Sequence, residues 1–194
     1  MNVFKPATRT AMTEAQVRKA AANTAGHEKT LDNDPFKEGD AVVYAAHGVG
    51  HIDRIGTEEI AGHSLEVIQV SFSDNQMTLR IPLARARASG LRKIASRDVV
   101  DKAMAVIKGK PRISKALWAR RAVEIQARIN SGDLLQVAEV VRDLQRHVDN
   151  LEGSFSERKL FELALDRFGA EIAVVEGVEK TAVLDRLTTT MKAA

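Results

Sequence analysis

The chain has 194 residues, no cysteine, and a formal net charge of +3 with a pI near 9.3. The lack of cysteine excludes a disulfide framework, a thiolate nucleophile and any cysteine-ligated zinc or iron–sulfur site. No run of about 18 apolar residues occurs, and MNVFKPATRTAMTEAQ at the N-terminus lacks the apolar stretch of a secretory signal, so a cytoplasmic protein without membrane association is expected.

Residues 1–35 are weakly periodic and end in Asp32-Asn33-Asp34-Pro35, which reads as a mobile tail with a transient helix near Thr13–Ala22. From Phe36 the texture changes to β-branched runs broken by glycine. Strands are predicted at Ala41–Tyr44, Val49–Thr57, Ser64–Phe72 and Gln76–Pro82, with turns at Gly48, Gly56 and Gly62. The run M-T-L-R-I-P alternates strictly, so Met77, Leu79 and Ile81 share one face while Thr78 and Arg80 point the other way. Arg80 is therefore expected in solvent. A few short strands with glycine turns cannot enclose a large core, which suits a compact barrel-like sheet over residues 36–95.

Beyond Ser96 the period changes from 2 to 3.6. Val99, Val100, Ala103, Met104 and Ile107 define one helix, stopped by Gly109 and Pro111, and a second runs from a cap at Ser114 to Ile129. Asp133 is placed to cap a third, with Leu134, Val137, Ala138, Val141, Leu144 and Val148 inward. Ser154 and Glu157 fit a capping box for a fourth helix, carrying Leu160, Phe161, Ala164, Leu165, Phe168 and Ile172. After Gly177 a fifth carries Val183, Leu184 and Leu187. The expected fold class is α+β: a small β-domain, then an all-α domain over residues 96–194.

Charge is unevenly distributed. Residues 85–128 hold thirteen Lys and Arg against three Asp and Glu, a local excess of +10, whereas residues 36–84 and 129–194 are each at −4. Such a block is either a solvated basic face or a surface for phosphates, where clustered cations release counterions. Within it lies Trp118, the sole tryptophan, in K-A-L-W-A-R-R. Helical spacing groups it with Ala122, Ile125 and Ile129, as a core residue would be. Its place in the first turn, beside Arg120 and Arg121, instead suits an apolar wedge that unstacks or holds open a duplex. Both readings stand at this level.

Catalytic patterns are lacking. His47 and His51 flank Gly48-Val49-Gly50 without the three or four closely spaced ligands zinc requires, and H-G-V-G-H has neither a Walker lysine nor a following helix, so a tight β-turn is expected. His27, His63 and His147 are scattered. No nucleophile elbow occurs, and the acidic pairs Glu58-Glu59 and Asp32/Asp34 sit in polar turns. No enzyme activity, cofactor or metal is expected.

Taken together, F-K-E-G-D-A-V-V-Y-x-x-H-G at 36–48, M-T-L-R-I-P at 77–82, L-W-A-R-R at 117–121 and V-A-E-V-V-R-D-L at 137–144 resemble the CarD family of bacterial transcription regulators, including its CdnL-type members. The resemblance implies a Tudor-like β-domain that binds the RNA polymerase β subunit and a helical domain that contacts promoter DNA at the upstream edge of the bubble. A monomeric, nucleoid-associated factor that stabilises the open complex without reading sequence would follow. By resemblance Arg80 is the polymerase-contacting arginine, Trp118 the wedge, and Arg120 and Arg121 the basic pair beside it. The chain departs at Glu58, where one branch has a second polymerase-contacting arginine, and at Val123, where a basic residue is expected. The rival reading is a general nucleic-acid-binding or architectural protein not tethered to polymerase.

Overall fold

A computed structural model describes residues 35–60, 63–73, 76–112, 116–145 and 154–192. The expected tail up to Asp34, the turn at Gly62, the cap at Ser114, inward Val148, and His27 and His147 lie outside the described residues.

Five strands form one antiparallel sheet: β1 (Ala41–Tyr44), β2 (Gly48–Ile60), β3 (His63–Phe72), β4 (Met77–Pro82) and β5 (Leu91–Lys93), in the order β4-β3-β2-β1-β5. The first four correspond to the predicted runs. The fifth, three residues inside the basic block, is too short to show a period. A 3-10 turn at Leu83–Arg85 returns the chain so that Leu91, Arg92 and Lys93 pair with Tyr44, Val43 and Val42. Val42, Ile52, Ile68, Val70, Phe72, Ile81, Ala86 and Leu91 make the buried cluster on this sheet.

Two sequence expectations are corrected here. Gly56 is not a turn but lies within β2 opposite Val67, because the ladder to β3 continues through it as far as Ile60. The tight turn occupies Ala45–His47, so it takes in only the first residue of H-G-V-G-H, and from Gly48 that stretch is strand. Gly50 is needed for close approach: a Cβ there would lie 2.6 Å from the Ser71 carbonyl oxygen and 2.9 Å from the Phe72 ring.

The helices are α1 (Arg97–Ile107), α2 (Trp118–Ile129), α3 (Leu134–Leu144), α4 (Phe155–Glu176) and α5 (Lys180–Lys192). The Asp133 side chain accepts from the Leu135 N–H at 2.9 Å, the expected cap of α3. Elsewhere the capping expectations fail. The second helix starts at Trp118, with Leu117 at the N-cap position and no side-chain cap hydrogen bond. Ser154 holds the N-cap position of α4 without a side-chain cap hydrogen bond, and Glu157 pairs with Arg121 of α2 at 3.5 Å. Gly177 closes α4 in the left-handed region at φ 68°, and Arg186 then donates to both Glu176 oxygens at 2.8 Å, holding α5 against the end of α4. Those hydrogen bonds push the Arg186 guanidinium above its ordinary range.

Helix α4 touches each of the other helices and also β2, so it is the axis of the helical part. Its Phe161, Ala164, Phe168 and Ile172 interlock with Val100, Ala103 and Ile107 of α1, the inward residues of α3, and Val183, Leu187 and Met191 of α5. Residues Pro35–Ala194 form one compact unit. Arg92 of β5 and Glu171 of α4 make a bidentate pair across it, at 2.6 and 2.8 Å.

Candidate functional site

At the start of α2, Trp118 is half-buried and belongs to neither cluster of buried residues. It borders an open apolar groove of about 630 Å³ with Ala122, Val123, Phe155, Lys159 and Leu160. Around it three large apolar side chains stand in water: Leu117 is 84% exposed, Val123 70% and Phe155 71%. Scattered exposed apolar residues are ordinary; Val123 and Phe155 on one groove with Trp118, and Leu117 next to it in the chain, form a group of the kind that marks an interaction surface. Val123, where the resemblance led to the expectation of a basic residue, adds apolar area to this surface.

The two arginines after Trp118 are not equivalent. The Arg120 side chain is 81% exposed and lies 3.6 Å from Glu124 one turn further on, a solvated pair that leaves it open to an anion. The Arg121 side chain is only 15% exposed, because it is held between Glu157 and the face of Trp118, with its guanidinium carbon 5.5 Å from the ring centroid. Arg121 therefore props the indole. A second cation–ring pair sits on the same groove, Lys159 Nζ 5.5 Å above the Phe155 ring. The arrangement offers two aromatic faces backed by cations, suited to stacking on bases with phosphates alongside. Phe155 and Lys159 escaped sequence reasoning. The available signal was that Phe155 falls out of step with the inward series Phe161, Ala164, Phe168 of its own helix.

Arg80 lies at the opposite edge of the sheet from β5, on edge strand β4, where one side of the backbone has no neighbouring strand. Its side chain is 65% exposed, as the alternation requires. Glu58 reaches it at 3.8 Å.

Elsewhere part of the basic block is engaged within the protein: Lys93 with Asp40 at 3.0 Å and Arg128 with Glu139 at 3.6 Å, besides Arg92 and Arg121. His47 stacks on Tyr44, with ring centroids 5.5 Å apart, as a packing residue, and His51 is exposed. Among the described residues no group of three His, Asp or Glu could hold a metal ion, and no helix is long and apolar enough to cross a membrane.

An antiparallel sheet followed by a helical bundle defines an α+β protein. Residues 36–95 match the family model described as CarD-like/TRCF RID domain, and residues 102–188 match CarD, C-terminal domain. The Bacillus subtilis (strain 168) protein named "Putative transcription factor YdeB" is 27% identical over 143 residues, covering 74% of this chain and 94% of that protein. The solution structure of the 72-residue N-terminal domain of Myxococcus xanthus CarD covers 37% of this chain and 97% of that domain at 30% identity, with a TM-score of 0.29. The chain belongs to the CarD family and is a transcription regulator.

Proposed function

We propose that this regulator binds the RNA polymerase β subunit through residues 36–95, with Arg80 in the contact, and stabilises the open promoter complex through residues 96–194. In this reading Trp118, backed by Arg121 and accompanied by Arg120, packs against the upstream edge of the melted bubble without reading sequence. The protein acts as a monomer in the cytoplasm, nucleoid-associated through polymerase, and performs no chemistry. The observation that carries the reading is the half-exposed Trp118 among the exposed apolar side chains of Leu117, Val123 and Phe155. A bundle gains nothing from leaving that much apolar surface in water, whereas an opened duplex presents unstacked bases to cover it.

Stabilisation follows from selectivity for one state. A contact made only when the DNA is open shifts the closed–open equilibrium by its own free energy, and a coupling of about 1–3 kcal/mol changes the ratio roughly 5- to 150-fold. The test is twofold. Polymerase should co-purify with the tagged protein from nuclease-treated extract, and the lifetime of a polymerase–promoter open complex should rise when the protein is added. Binding to DNA with no capture of polymerase would favour the untethered nucleic-acid binder.

A further inference from the structure

Glu171 is one of two charged or polar residues among the described residues that are buried, and it faces the sheet rather than the helical core. Its carboxylate accepts both arms of the Arg92 guanidinium, at 2.6 and 2.8 Å, and the backbone N–H of Ala95 at 2.9 Å. Arg92 Nε donates at the same time to the Gly132 carbonyl, between α2 and α3. On the other side of the junction Arg167, one turn earlier on α4, donates to the Ala45 and Ala46 carbonyls at 2.8 and 2.6 Å, gripping the β1–β2 turn. Between these two arginines the contact is filled, leaving only about 20 Å³ among Val43, Val49, Ile129, Leu134 and Val137. A carboxylate with three donors from β5 and the segment after it, set in a closely packed junction, permits one relative orientation and few others. Hydrogen bonds to a buried charge are directional, and tilting the sheet would break several of them together.

We infer that Glu171 is a positioning residue that clamps the sheet to the helical bundle through Arg92, so that the face bearing Arg80 and the platform bearing Trp118 are carried as one rigid body. The inference rests on the functional reading above, in which the first surface holds polymerase and the second holds the melted junction. A rigid connection makes binding at the first surface place the second without further ordering of the chain. A loose connection would leave polymerase binding intact and forfeit most of the gain at the bubble.

The test uses the full chain, whose lack of native cysteine allows clean labelling at two introduced positions, Thr78→Cys on β4 and Glu162→Cys on α4. The spin-label distance distribution should be narrow in the parent and broad in Glu171→Ala, with Glu171→Gln, which keeps an oxygen acceptor, between them. In unlabelled protein, well below its melting temperature, Glu171→Ala should capture polymerase within twofold of the parent yet lose at least fivefold of the open-complex lifetime gain, partly recovered in Glu171→Gln. Should Glu171→Ala fail to fold, Arg167→Met, which releases the β1–β2 turn and leaves Glu171 in place, takes the same measurements. A distribution as narrow as the parent's overturns the clamp. A broad distribution with full lifetime gain overturns its role in positioning, and parallel loss of polymerase capture and lifetime reduces it to a folding residue. A parent protein that leaves the open-complex lifetime unchanged would refute the functional reading alone, and the distance measurement would still decide the clamp.

Discussion

Replacing Trp118 with alanine separates the two readings that its helical position leaves open. A fully buried Trp truncated to Ala costs about 3–5 kcal/mol. Trp118 is half-buried and lies outside both core clusters, against a groove that is already open on one side. Aromatic side chains bury roughly 150–250 Å² when enclosed; taking about half of that at ~25 cal/mol per Å² gives roughly 2–3 kcal/mol as an upper bound. Truncation leaves no closed cavity, so the additional penalty for a void is absent and ~1–2 kcal/mol is the expected loss. For a chain of this size that lowers the melting temperature by roughly 2–8 °C. In the open complex the same truncation removes a stacked contact of about 1–3 kcal/mol, which shortens the lifetime roughly 5- to 150-fold. Thermal melting and competitor-challenged dissociation of the polymerase–promoter complex, both on the purified variant, measure the two quantities. A fall in melting temperature well beyond 10 °C, with the open-complex lifetime unchanged at a temperature where the variant is folded, would return Trp118 to the core and refute the wedge.

Other outcomes follow from the same geometry. Arg80→Glu should weaken capture of the polymerase β subunit while changing stability by no more than about 0.5 kcal/mol, as expected for an exposed strand position; equal capture by the folded variant would remove Arg80 from the contact. Glu58→Ala frees Arg80 from its partner and should strengthen that capture modestly, which a side-by-side titration would detect. Gly50→Ala drives a methyl group into the Ser71 carbonyl and the Phe72 ring and should cost ~1–3 kcal/mol in denaturant unfolding. Asp133→Ala removes the α3 cap and should cost about 1 kcal/mol by the same measurement.

Local periodicity made much of this fold legible. The alternation in Met77–Pro82 correctly sends Arg80 outward, and the 3.6-residue period locates the inward faces of α1, α3 and α4. What it could not show are features made by contacts distant in sequence. β5 exists because Tyr44, Val43 and Val42 offer it a partner, not because Leu91–Lys93 has strand character of its own. Arg121 reads as one of two equal cations beside Trp118 until Glu157, on another helix, claims it. Glu171 was the most readable of the missed residues: it falls three after Phe168, on the inward stripe of α4, where a carboxylate without a partner would be untenable. Such a misfit announces a buried cation elsewhere in the chain but not which one. The pairing of Glu157 was illegible for the same reason, since Ser154 and Glu157 suit a capping box locally while the Arg121 that Glu157 meets lies on another helix.

The internal pairing of Arg92, Lys93, Arg121 and Arg128 leaves the basic block weaker toward an external polyanion than its composition suggests. With at most nine of its thirteen cations left to meet phosphates, the logarithmic salt dependence of binding to duplex DNA should have a slope no steeper than about −8, against about −12 for the whole block. Such a surface would release free duplex readily at cellular ionic strength. Tethering at a second site would change that through effective concentration, which reaches the millimolar range for a short connection and turns a feeble contact into an occupied one. Occupancy of the promoter would then be governed by where polymerase is, so that the protein could visit any promoter polymerase opens and linger on none that it has left.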